Sequence, residues 1–165
     1  MENELLRADN SFIDIMEKYA DTVFRICLVY MNNKTDAEDV FQNVFLKLCK
    51  SQPSFNDEEH KKAWLITVAR NECKNQLLSF WRRNVTCIDE IVLPIIESDD
   101  KEVVKAVLSL PLKYRDILYF FYFEYYKINE LSKLFKMKEP TIKTRLKRGR
   151  ERLKSILLEG GYNYE

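Results

Sequence analysis

The sequence predicts an all-α protein made of two small helical domains joined by a flexible linker. Apolar residues recur at helical spacing through most of the 165 residues, and only three glycines and four prolines interrupt them. Residues 85–100 carry no sustained stripe and finish in Glu97-Ser98-Asp99-Asp100, as a linker would. Charge divides at the same place. Residues 1–100 hold 12 Lys and Arg against 18 Asp and Glu, net −6, whereas residues 101–165 hold 15 against 8, net +7. The expected domains are therefore 8–84 and 101–158.

The first helix follows from Phe12, Ile13, Met16, Ala20, Val23, Phe24 and Cys27. Met31-Asn32-Asn33-Lys34 breaks it. Thr35 as N-cap with Glu38 predicts a capping box and a second helix, with inner stripe Ala37, Val40, Phe41, Val44, Phe45 and Leu48. Pro53 stops that helix, and Ser54-Phe55-Asn56-Asp57 reads as a loop. Asn56 with Glu59 can cap a long third helix, whose apolar side includes Ala63, Trp64, Ile66, Val68 and Leu77 and which ends near Trp81-Arg82-Arg83-Asn84.

The second domain opens with a short helix carrying Val103, Val104, Val107 and Leu108. Leu110-Pro111 turns the chain into the next helix, because proline is tolerated in a first helical turn. A helix over Ile128–Phe135, the turn Lys136-Met137-Lys138 and a basic helix from Glu139 to about Leu158 describe a helix-turn-helix. The inner stripe of the last helix is Ile142, Leu146, Gly149, Leu153 and Ile156. Gly149 is costly there, by about 1 kcal/mol relative to alanine, so close helix packing is expected to compensate.

Composition excludes several classes of function. No apolar run is long enough to span a membrane, and Met1-Glu2-Asn3-Glu4 does not resemble a signal peptide, so a cytoplasmic protein without membrane insertion is expected. Cys27, Cys49, Cys73 and Cys87 are scattered and His60 is the single histidine, which argues against a metal site and for small buried thiols. Without a glycine-rich phosphate loop or an assembled catalytic group, neither an enzyme nor a cofactor is expected. Residues 136–154 hold 9 basic and 2 acidic side chains, a concentration that suits DNA. Lys143, Thr144, Lys147, Arg148 and Arg150 should point outward from the last helix, where Arg or Lys can bond guanine or phosphate and Thr a base edge.

Leu110-Pro111-Leu112-Lys113-Tyr114-Arg115, Ile128-Asn129-Glu130-Leu131 and Thr141-Ile142-Lys143-Thr144-Arg145-Leu146-Lys147-Arg148-Gly149-Arg150 resemble the fourth conserved region of sigma-70-type factors. The stretch from Asp36 to Leu48 resembles the second-region helix that binds RNA polymerase. Ala63-Trp64-Leu65 with Ala69-Arg70-Asn71 resembles the start of the promoter-melting segment. The order and spacing identify the chain as a member of the sigma-70 family, in the extracytoplasmic-function (ECF) group. Two departures are mild: Arg148-Gly149-Arg150 stands where Arg-Ala-Arg is usual, and Glu130-Leu131-Ser132 where Glu-Ile-Ala is usual.

The resemblance implies an alternative sigma factor whose partners are core RNA polymerase and promoter DNA. Asp36, Asp39, Gln42, Asn43 and Leu46 would dock on the clamp coiled coil of the polymerase's largest subunit, although Asp36, Glu38 and Asp39 also suit a helix N-terminus. Phe55, Asn56, Asn71 and Asn75 would surround an unstacked base of the −10 element, with Lys61, Lys62, Lys74, Arg82 and Arg83 on phosphates. A loop-anchoring role for Phe55 and a core role for Trp64 compete with this. Lys143, Thr144, Arg145, Lys147, Arg148 and Arg150 would read the −35 element. The aromatic run Tyr119 to Tyr126 exceeds what one helix face can bury, and an anti-sigma factor or the first domain could cover the surplus. The alternative function is a helix-turn-helix regulator that does not join polymerase.

Overall fold

The computed structural model describes residues 2–82 and 101–161, and these form seven helices with no strand among them. The all-α expectation is met. The chain divides into two compact units, Met1–Val92 and Leu93–Glu165. The expected linker at 85–100, with Arg83 and Cys87, lies outside the described residues.

In the first unit, α1 (Glu2–Met31), α2 (Lys34–Ser51) and α3 (Glu58–Arg82) each pack on the other two. Val23, Ile26 and Cys27 of α1 meet Ala37, Val40 and Val44 of α2 and Leu65, Ile66, Ala69 and Cys73 of α3 in a buried core. Each fully buried Leu, Ile or Val there contributes about 1.5–3 kcal/mol. The inner face of α1 is rotated from the expected one. Ile15, Tyr19, Ile26 and Tyr30 are buried, while Ile13 is 49% exposed. The cause is tyrosine: Tyr19 and Tyr30 bury their rings and pass their hydroxyls to polar partners on α3.

The core side of α3 differs in the same way. Leu65, Ile66, Ala69, Arg70 and Cys73 are buried, whereas Ala63 is exposed and Trp64, Val68 and Leu77 are only half-buried. Arg70 is held on this inner side because its buried guanidinium Nε donates to Tyr30 Oη at 2.8 Å. Cys27 and Cys73 are buried as expected, but Cys49 is exposed at the far side of α2. Contact with Cys27, followed by burial, pushes the Cys73 thiol well up and holds it protonated and inert.

Both expected N-caps shift by one or two residues. Asn33, not Thr35, caps α2, its Oδ1 accepting the Asp36 amide at 3.0 Å. Asp57, not Asn56, caps α3, its Oδ1 accepting the His60 amide at 2.7 Å.

In the second unit, α7 (Glu139–Glu159) packs on α4 (Lys101–Ser109), α5 (Leu112–Tyr122) and α6 (Ile128–Phe135). Arg115 ties the α4–α5 turn by donating through Nη1 to the carbonyls of Leu108 and Leu110, at 2.9 and 3.2 Å. Ile117, Leu118, Phe120, Leu131, Ile142 and Leu146 fill the centre. On α7, Leu157 is buried, while the expected Leu153 and Ile156 are half-buried. Gly149 lies against α5, where an added Cβ would stand 3.1 Å from Leu118 Cδ1 and 3.3 Å from Tyr114 Cβ. That close approach is what the glycine permits.

Candidate nucleic-acid and polymerase interfaces

The helix-turn-helix is set by its turn. Lys136 adopts a left-handed backbone, φ 52°, closing α6, and the Met137 amide reaches back to the Ser132 carbonyl at 3.0 Å. Pro140 sits in the first turn of α7. With Ile142, Leu146 and Gly149 buried, Lys143, Thr144, Lys147, Arg148 and Arg150 are all exposed, and Arg145 is half-buried. Thr144 Oγ1 donates to the Pro140 carbonyl at 2.9 Å, which leaves its oxygen able to accept from a base edge. Arg150 Nη1 donates to Tyr122 Oη at 3.2 Å, so α5 steers this guanidinium.

On α2, Asp39, Gln42, Asn43 and Leu46 are exposed, opposite the buried Val40, Val44 and Leu48. Asp36 is half-buried at the capped end. Leu46 is 52% exposed in the middle of this polar face. An exposed apolar side chain one turn from two amides, Gln42 and Asn43, suits a protein partner better than a nucleic acid.

On α3, Asn71, Lys74, Asn75 and Arg82 are exposed, at positions that share one side of a helix. Lys61 and Lys62 are half-buried, and Lys61 Nζ pairs with Glu58 Oε1 at 2.8 Å. Phe55 is half-buried, edge-on to His60 and to Trp64 at 5.5 and 5.8 Å, while Asn56 beside it is exposed. Phe55 is thus both anchored and accessible, and Trp64 supports it rather than filling the core.

Three features were missed from the sequence. Trp81 is 66% exposed beside Arg82, and the helical register from Asn71 through Lys74 and Leu78 could have placed it on the same face. Glu58 gathers Tyr19 Oη at 2.6 Å, Lys18 Nζ at 2.9 Å and Lys61 Nζ, joining α1 to the start of α3. Hydrogen bonds from Lys61, Tyr19 and Lys18 hold its carboxyl down at about 2. His60 receives the Asn56 amide on its ring nitrogen Nδ1 at 3.1 Å. No sequence pattern announces a side chain folding back on a loop. Among the described residues, no group of His, Cys, Asp and Glu is placed to hold a metal.

The two units correspond to two family models. Residues 15–83 match sigma-70 region 2 and residues 100–153 match sigma-70 region 4. SigZ of Bacillus subtilis, an RNA polymerase sigma factor, is 30% identical over 139 residues, covering 77% of this chain and 76% of that protein. The chain belongs to the sigma-70 family, in its ECF group. Among its ECF relatives in the same organism, SigM is 29% identical, covering 89% of this chain and 95% of that protein. SigW is 24% identical, covering 90% and 89%. The fold is shared with the sigma factor RpoE of Bartonella quintana, solved with the anti-sigma factor NepR, at TM-score 0.76 and 23% identity over 89% of this chain and 96% of that one.

This ECF sigma factor acts with core RNA polymerase and directs transcription initiation, which sets aside a regulator that never joins polymerase. Sigma factors are non-catalytic regulators of the polymerase. No described helix is long and apolar enough to cross a membrane.

Proposed function

We propose that residues 8–84 dock on polymerase and open the −10 element, while residues 101–158 read the −35 element as duplex. The observation that carries this is α7: five polar or basic side chains are exposed on one helix whose other face is anchored by Ile142, Leu146 and Gly149. Such a face offers bidentate donors for bases and point charges for phosphates. Asp36, Asp39, Gln42, Asn43 and Leu46 form the polymerase contact on α2. Phe55, Asn56, Asn71 and Asn75 take an unstacked −10 base, with Lys61, Lys62, Lys74, Arg82 and Arg83 on the strand's phosphates. The chain itself performs no bond chemistry and works in the cytoplasm beside polymerase and promoter.

The likeness to a sigma factor solved with an anti-sigma factor supports a third partner of that kind. Tyr125, 84% exposed at the end of the aromatic run, offers it an apolar contact.

Footprinting on a mapped promoter tests the division of labour. Joint Lys143→Ala and Arg148→Ala should remove −35 protection by the reconstituted holoenzyme. Joint Asn71→Ala and Asn75→Ala should keep that protection and lose permanganate reactivity at −10. The reverse pattern would overturn the assignment.

A further inference from the structure

His60 belongs to none of the three surfaces, yet it holds one of them in shape. Its backbone amide bonds Asp57 Oδ1 at 2.7 Å, and its Nδ1 accepts the Asn56 amide at 3.1 Å. Both bonds join the first turn of α3 to the loop just before it. The second requires the neutral Nε2–H tautomer, because only an unprotonated Nδ1 can accept. The imidazole also stands edge-on to Phe55 at 5.5 Å, and Trp64, one turn further on the same side of α3, does so at 5.8 Å. Two rings at i and i+4 therefore make a shelf under Phe55, while Nδ1 pins the backbone of Asn56.

The shelf stands on a firm base. Glu58, two residues before His60, is bonded to Lys18 and Tyr19 of α1 and to Lys61 of α3. The loop end of α3 is thereby tied to the bundle, and the rings of His60 and Trp64 are presented from a fixed element. An exposed loop without such ties would have to be ordered each time a base is captured, and that ordering opposes binding.

We propose that His60 is a positioning residue for −10 recognition: it fixes the backbone at Asn56 and supports the ring of Phe55, so that both meet an unstacked base in one arrangement. This rests on the reading of Phe55 and Asn56 as −10 contacts. His60 touches the loop, not the DNA, and its effect appears as sharpness of base preference rather than as affinity for any sequence.

The test uses the full chain with core RNA polymerase, transcribing a promoter library randomised across the −10 element. Four variants are compared with wild type: His60→Ala, His60→Asn, Phe55→Ala and Asn56→Ala. His60→Ala loses about one net hydrogen bond, so preference at one −10 position should fall roughly five-fold. Its competition for core polymerase should be unchanged. His60→Asn places an acceptor where Nδ1 was and should recover part of the preference. His60 is exposed, so the melting temperature should stay near that of wild type.

A wild-type preference in His60→Ala, with preference lost in Phe55→Ala or Asn56→Ala, would overturn the positioning role and leave the −10 reading standing. An equal loss on every −10 sequence, without rescue by asparagine, would also overturn it. Unaltered preference in both Phe55→Ala and Asn56→Ala would remove the −10 reading and the proposal together.

Discussion

Lys143, Lys147 and Arg150 follow one row along α7, while Thr144 and Arg148 follow the adjacent row, one turn apart. The two rows meet a DNA groove differently. Arg148 is suited to bidentate contact with a guanine edge, so Arg148→Ala should cost about 1–3 kcal/mol and relax preference at one −35 position. Lys143, at the edge, suits phosphate, and Lys143→Ala should weaken all sequences alike. Holoenzyme binding to single-base −35 variants separates the two, and equal, sequence-independent losses would count against base reading by Arg148. Behind these rows, Gly149 decides how closely α7 approaches α5. Alanine would recover about 1 kcal/mol of helix propensity but would press on Leu118 Cδ1 at 3.1 Å, so Gly149→Ala should leave stability within about 1 kcal/mol of wild type. Gly149→Leu cannot be accommodated against Tyr114 and should destabilise by at least about 1–3 kcal/mol in a denaturant melt.

At the level of the element, α2 carries two separable jobs on opposite sides. Val40, Val44 and Leu48 hold it in the bundle, and Gln42, Asn43 and Leu46 are exposed. Replacing Gln42 and Asn43 together by lysine reverses the local character beside Asp36, Glu38 and Asp39 without touching the core. Surface changes usually alter stability by less than about 0.5 kcal/mol, so the melt should be unchanged. Competition with wild type for core polymerase should be lost. Intact competition would remove α2 from the docking surface. The α2 cap belongs to the same scale: Asn33 takes the role although Thr35 with Glu38 forms an equally good capping pattern two residues later. Only the backbone path selects between them.

For the whole molecule, the charge division is the dominant property. Residues 1–100 carry net −6 and residues 101–165 net +7, so an acidic half accompanies every approach of the basic half to DNA. The free chain should bind duplex promoter DNA weakly at physiological salt, and tightly once polymerase has engaged the acidic half. Titration of labelled promoter with the chain alone and with the holoenzyme measures this. Tight, promoter-specific binding by the chain alone would contradict the proposed sharing of promoter recognition with polymerase.

The sequence by itself determined the helical class, the charge division and the outward face of α7, because each follows from residue order along one chain. Ile142, Leu146 and Gly149 recur at helical spacing, so the exposure of Lys143, Arg148 and Arg150 followed without knowledge of any neighbour. The tertiary structure decided whatever depends on a partner from another element. Tyr19 and Tyr30 rotated the inner face of α1 because their hydroxyls found Glu58 and Arg70, which lie 39 and 40 residues away. Arg70 entered the core of α3 for the same reason: it stands one turn after Ile66 on the inner side, where its charge alone argues for exposure and the Tyr30 hydroxyl satisfies it. The ring shelf under Phe55 likewise exists only once the loop has folded back on α3. Periodicity reports which side of a helix is apolar; a buried polar group is placed by the atom that satisfies it, and that atom lies elsewhere in the chain.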